Sequence, residues 1–214
     1  MIFLSFADVK QNNYMDAVAK IKNIVVDIYA QYEQLYLGSG MTALQKQQYY
    51  SVKSEMSDVT AQDSLKMLSS HLSSYYRKNV IILLDEYDTP MQEAYVHGYW
   101  DEFISFLRSL FNSTFKTNQY LERAVMTGIT RVSKESMFSD LNNLNVVTTT
   151  SNEYSTSFGF TEDEVFASLD KFGLSDRKAE VKSWYDGFTF GLHKDIYNPW
   201  SIINYLDKKQ LRPY

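Results

Sequence analysis

Apolar side chains recur at spacings of three and four from Tyr14 through Val18, Ile21, Val25, Ile28 and Tyr32 to Leu35, a stripe that predicts one long amphipathic helix over about residues 12 to 36. Ahead of it, Ile2-Phe3-Leu4-Ser5-Phe6 packs large apolar residues together without helical spacing and reads as a buried strand. Gly38-Ser39-Gly40 stops the helix, and Thr42 with Gln45 forms a capping-box pattern that opens a more polar one. A third helix is expected over about 59 to 75. The run Val80-Ile81-Ile82-Leu83-Leu84 is the strongest strand, apolar on both faces, which predicts a central position in a sheet covered on both sides. Trp100, Phe103, Ile104, Leu107, Leu110, Phe111 and Phe115 then share one helical face over about 98 to 115, and residues 121 to 127 read as another buried strand.

Strands alternating with amphipathic helices imply right-handed crossovers and a largely parallel sheet, so the expected class is α/β with helices on both faces. From about residue 158 the pattern shifts to short helices, with a capping box at Thr161 and Glu164 and a helix capped by Ser175 running to about Tyr185. The expected organisation is a core over 1–155 and a helical subdomain over 156–214. The aromatic set Trp184, Tyr185, Phe188, Phe190, Tyr197 and Trp200 is read as the core of that subdomain rather than as a stacking platform.

Composition narrows the function classes. With 44% hydrophobic and 15% aromatic residues in 214, the chain carries enough apolar side chains for one sizeable core and does not resemble a disordered segment. A net charge of -5 and a pI near 5.2 provide no basic field, so direct nucleic-acid binding is not expected. The absence of cysteine excludes disulfides and thiolate zinc sites and fits a reducing compartment, giving a cytoplasmic expectation. No apolar run reaches membrane-spanning length or has the flanks of a signal peptide.

In open α/β sheets ligands bind at the carboxyl ends of strands, and Asp85, Glu86 and Asp88 fall directly after the strongest strand. An apolar strand ending in Asp-Glu is the Walker B pattern, in which Asp85 orients Mg2+ and Glu86 polarises the attacking water. The plainer alternative is that these carboxylates solvate a strand end. At the next strand end, Thr127 is placed to sense a γ-phosphate and Arg131 to neutralise charge in the transition state; a satisfied strand-end threonine and a surface arginine are the alternative. Lys134, in the polar run after it, is either a phosphate contact or simply solvated. None of the eight glycines is followed by lysine, so no G-x-x-x-x-G-K-[ST] loop occurs, and a chain opening in a core strand predicts that such a loop would precede Met1. His71, His97 and His193 are scattered and form no metal-binding spacing, and no G-x-S-x-G elbow is present.

The segments Val80 to Pro90 and Met126 to Ser136 together resemble the bacterial AAA-ATPase-like family, and the resemblance continues through Leu141-Asn142-Asn143-Leu144, Phe158-Gly159-Phe160-Thr161, Trp184-Tyr185-Asp186-Gly187-Phe188 and Ile196-Tyr197-Asn198-Pro199-Trp200-Ser201. It implies a P-loop-NTPase-like three-layer sandwich with a C-terminal helical lid, and ATP and Mg2+ as ligands. The implied metal residue is Asp85, the catalytic residues Glu86 and Arg131, and the nucleotide contacts Thr127 and Lys134. Members usually carry a Gly-Lys-Ser loop ahead of this region, and many continue into a PD-(D/E)xK nuclease-like domain. This sequence departs from the pattern at both ends, so the implied ATPase is expected to be impaired without the loop. The alternative is a non-catalytic protein-interaction module from a degenerate or split ATPase.

Overall fold

The computed structural model describes residues 1–38, 40–129, 141 and 144–213. The chain divides into two compact units, Met1–Leu144 and Asn145–Tyr214. The first holds a three-stranded sheet in the order β1 (Ile2–Ser5), β2 (Val80–Asp85), β3 (Leu121–Met126), all parallel. The α/β class with a parallel sheet expected from the sequence is therefore present.

Helices α1 (Tyr14–Ala30), α2 (Glu33–Leu37), α3 (Ala43–Ser51) and α4 (Asp58–Tyr76) connect β1 to β2. Their starts follow from the sequence: the Asn13 side chain accepts from the Asp16 N–H at 2.9 Å, Ser57 accepts from Thr60 N–H at 3.1 Å, and Thr42 with Gln45 forms the full capping box. The single helix expected over 12 to 36 is interrupted after Ala30. Tyr32 donates its hydroxyl to the Met1 carbonyl at 2.6 Å, and beyond the break Tyr36 becomes the buried residue of α2. Tyr36 stacks on Tyr49 at 3.9 Å and contacts His71 of α4.

Between β2 and β3 run α5 (Thr89–His97) and α6 (Trp100–Phe111), the latter continuing into a π-helical turn to Lys116. The periodicity did not announce α5. Pro90 looks like punctuation in a sequence, yet proline is well tolerated in the first turn, where its missing N–H would have no helical partner. Gly98, at φ +77, closes that helix in the left-handed region.

Of the helices expected on both faces of the sheet, those among the described residues of the first unit lie against one face. Ile2, Leu4, Val80, Ile82 and Leu84 are buried on one face against α1, α4 and α6. On the other face Phe3, Leu83 and Val125 lie in register across all three strands, with Phe3 55% and Val125 47% exposed, and Ile81 beside them is 40% exposed. The reason is topological. Right-handed crossovers that step β1 to β2 to β3 in one direction lay every connecting helix on the same side.

The second unit contains α7 (Glu162–Lys171), α8 (Lys178–Tyr185) and α9 (Pro199–Lys208), where short helices were expected. It also contains an antiparallel sheet that the sequence reading lacked: β4 (Phe160–Thr161), β5 (Asp186–Phe190) and β6 (His193–Tyr197), ordered β4-β6-β5. Its core is Val165, Leu169, Val181, Tyr197, Ile202 and Tyr205. Of the aromatic set read as core, Tyr197 is buried, Tyr185 packs against that core and Phe190 is half-buried, while Trp184, Phe188 and Trp200 are exposed, so half of that expectation fails. For Phe188 the cause is β5, whose Asp186-Gly187-Phe188-Thr189-Phe190 sequence forms a sheet edge with that ring left outside the core.

Candidate active site

The sheet register carries β2 and β3 to the same level at their carboxyl ends, where Leu84 pairs with Met126. Three backbone bonds extend the ladder past the strands: Thr127 N–H donates to the Leu84 carbonyl at 2.9 Å, Tyr87 N–H to the Thr127 carbonyl at 3.1 Å, and Phe6 N–H to the Asp85 carbonyl at 2.9 Å. Asp85 and Thr127 are thereby fixed on adjacent strand ends. The Thr127 hydroxyl donates to Oδ1 of Asp85 at 2.5 Å, and the Glu86 N–H donates to the same oxygen at 3.1 Å. The other oxygen, Oδ2, makes no hydrogen bond among the described residues.

Glu86 leaves the strand with φ +51, a left-handed conformation uncommon for a residue with a Cβ. Its Oε2 accepts from the Thr89 hydroxyl at 2.9 Å, and its carbonyl accepts from the Thr89 N–H at 3.2 Å. Asp88 is fully buried at the start of α5, where its backbone carbonyl accepts from Met91 and Gln92 N–H, both at 3.0 Å, and its Oδ2 from the Gln92 side chain at 2.9 Å. The sequence groups Asp88 with the strand-end acids, and unlike Asp85 and Glu86 it is fully buried. Gly128 sits tightly against it. A Cβ there would meet the Asp88 carboxylate and the Tyr87 ring, the latter at 2.8 Å.

Two threonine-to-carboxylate bonds thus order the site, one reaching across strands and one closing a local turn. Sequence reasoning found Asp85, Glu86 and Thr127 but passed over Thr89 and Gly128. The signal for Thr89 was its place before Pro90 at a helix start, and for Gly128 its place after a strand-end threonine. Arg131 and Lys134 lie outside the described residues. Among the described residues no cluster of three or more His, Cys, Asp or Glu side chains is arranged to hold a metal ion. A Mg2+ ion held by one carboxylate, retained waters and substrate phosphates needs no such cluster, and the hard oxygens of Asp85 suit it.

Residues 1–138 match the sequence model of the AAA-ATPase-like family, described as predicted AAA-ATPase. A protein of Azotobacter chroococcum mcd 1, described as an uncharacterized protein in the vnfD 5' region, is 32% identical over 138 residues, covering 64% of this chain and 26% of that protein. The chain therefore matches about a quarter of that relative's length. No solved structure matches the chain. The family match takes in Asp85, Glu86, Thr127, Arg131 and Lys134, whereas the motifs from Phe158 onward lie beyond it. Among the described residues no helix is long and apolar enough to cross a membrane.

Proposed function

The chain belongs to the AAA-ATPase-like family, and on that premise we propose that Met1–Leu144 is a P-loop-NTPase-like domain that takes Mg2+ and ATP at the carboxyl ends of β2 and β3. The observation that carries the reading is the Thr127–Asp85 hydrogen bond, which ties a strand-end carboxylate to a hydroxyl on the neighbouring strand. Bound Mg2+ would neutralise phosphate oxygens. Asp85 would hold it, since Thr127 and the Glu86 N–H bond Oδ1 and leave Oδ2 without a hydrogen bond among the described residues. Glu86 polarises a water whose oxygen attacks the γ-phosphorus while the bridging P–O bond breaks; the carboxylate accepts the proton the water loses, and ADP departs. Thr127 senses the γ-phosphate, Arg131 neutralises developing charge, and Lys134 contacts phosphate.

No Gly-Lys-Ser/Thr loop occurs in these 214 residues, and without such a phosphate cradle hydrolysis by them is expected to be weak. The test is calorimetric titration with Mg2+ and a slowly hydrolysed ATP analogue, repeated on Asp85→Ala. Saturable, Mg2+-dependent binding that the substitution abolishes supports the site. Binding that survives Asp85→Ala unchanged removes it.

A second reading, a non-catalytic interaction module, draws on the exposure of Trp184, Phe188 and Trp200 in the second unit. A monodisperse chain with no response to Mg2+ and nucleotide would favour it.

A further inference from the structure

Glu86 is held at two points by a single residue. Thr89 donates its backbone N–H to the Glu86 carbonyl and its hydroxyl to Oε2, at 3.2 and 2.9 Å. Together they close a tight turn around a backbone in the left-handed region, φ +51, which costs a residue with a Cβ about 1 kcal/mol. Asparagine or glycine would enter that region more readily, so the glutamate sits there against its own preference. The carboxylate is also asymmetric: Oε2 is bonded to Thr89, and Oε1 makes no hydrogen bond among the described residues. A side chain that merely solvates a strand end would gain nothing from a strained backbone and a hydroxyl grip on one oxygen.

We propose that Thr89 is a positioning residue for Glu86, its hydroxyl holding Oε2 so that Oε1 alone is presented to the water that Glu86 polarises. The inference rests on the nucleotide-hydrolysis reading for its purpose but not for its geometry. Thr89 also begins α5, whose Pro90, Met91 and Ala94 are buried, as is Asp88 just before it, so the grip is anchored to the core rather than to a loose loop. Unlike the Thr127–Asp85 bond, it spans three residues of one segment and forms as soon as that turn closes.

The test uses the full chain with Thr89→Val, which removes the hydroxyl at nearly constant volume, and Thr89→Ser, which keeps it. Side-chain NMR on glutamate-labelled protein should show Glu86 in one rotamer in the wild type and in Thr89→Ser, and averaged among rotamers in Thr89→Val. With Mg2+ and ATP, Thr89→Val should lower kcat by about tenfold, the equivalent of one lost hydrogen bond, with KM within about twofold, and Thr89→Ser should recover most of it. A Glu86 side chain that keeps its rotamer in Thr89→Val overturns the inference, and so does a serine variant that behaves like valine. A wild-type chain without turnover counts against hydrolysis by these residues alone, and the rotamer comparison then still decides the part played by Thr89.

Discussion

The Thr127 hydroxyl donates to Oδ1 of Asp85 across 2.5 Å, joining two side chains 42 residues apart in sequence but on neighbouring strand ends. The bond constrains one carboxylate oxygen and leaves the other available. It also couples two consequences, stability and ligand affinity, to one hydroxyl.

Thr127→Val should therefore lower stability by about 1–2 kcal/mol, as expected for removal of a partner from a partly buried charged acceptor. Urea unfolding should show the fall and its recovery in Thr127→Ser. In the same samples, the valine variant should bind Mg2+ and an ATP analogue less tightly. An unchanged unfolding midpoint would mean that the bond does not form in solution.

Gly128→Ala tests the packing behind the acidic pair. The φ of Gly128 is not in the left-handed region, so alanine is conformationally tolerated and the effect is steric: the new methyl group runs into the Asp88 carboxylate and the Tyr87 ring. We expect a loss of about 1–3 kcal/mol. Gly98→Ala is the contrasting case, with open space around the methyl group but φ +77, and should lose about 1 kcal/mol from backbone strain alone. A loss well below 1 kcal/mol at Gly128 would show that Asp88 and Tyr87 yield to the methyl group.

The one-sided sheet gives a sharper comparison within a single strand. Ile82→Ala opens a cavity in the covered face and should cost about 2–5 kcal/mol, whereas Ile81→Ala, on the open face, should cost about 1 kcal/mol or less. Denaturant titration of both variants measures the difference. Similar losses would mean that the second face is covered in solution.

His71 predicts an acid limit. It is buried between Tyr36 and Gln48, with Nδ1 2.9 Å from the tyrosine hydroxyl and Nε2 2.9 Å from the glutamine Oε1. Because that glutamine oxygen can only accept, the ring carries its proton on Nε2 and Nδ1 accepts from Tyr36. Burial pushes the pKa down from 6.5 to about 4. The folded state thus binds the proton less readily than the unfolded chain. The stabilisation is fully present above pH 6.5 and is lost as pH falls toward about 4, amounting to about 3 kcal/mol in all. Stability measured across that window should decline, and His71→Gln should flatten the decline. A wild-type profile that is flat down to pH 4 would rule out a neutral buried ring.

Local patterns in the sequence carried much of this structure. The strand Val80 to Leu84, the caps at Thr42 and Thr161, and the helix around Leu68 are each set by near neighbours, and each appears within a few residues of its expected bounds. Asp85, Glu86 and Thr127 were legible for the same reason, as polar residues ending apolar runs. What local pattern does not encode is which face of a strand finds a neighbour: Ile81 and Ile82 look alike in sequence, and only the winding of the chain separates them. Likewise β5 and β6 are strands because they pair with each other across a turn, not because either is rich in β-branched residues. The Thr89 grip required a backbone conformation at Glu86 that composition gives no sign of.

The row Phe3, Leu83 and Val125 has a colloidal consequence. Copies of a chain with net charge -5 repel one another in dilute buffer, while the apolar row offers each copy a surface to bury. Salt shortens the range of the repulsion, from about 10 Å at 0.1 M to about 3 Å at 1 M, and excluded salts such as sulfate strengthen apolar burial at the same time. Raising ionic strength and raising protein concentration should therefore push in the same direction, toward burial of this row between copies, and light scattering across a salt series measures whether they do.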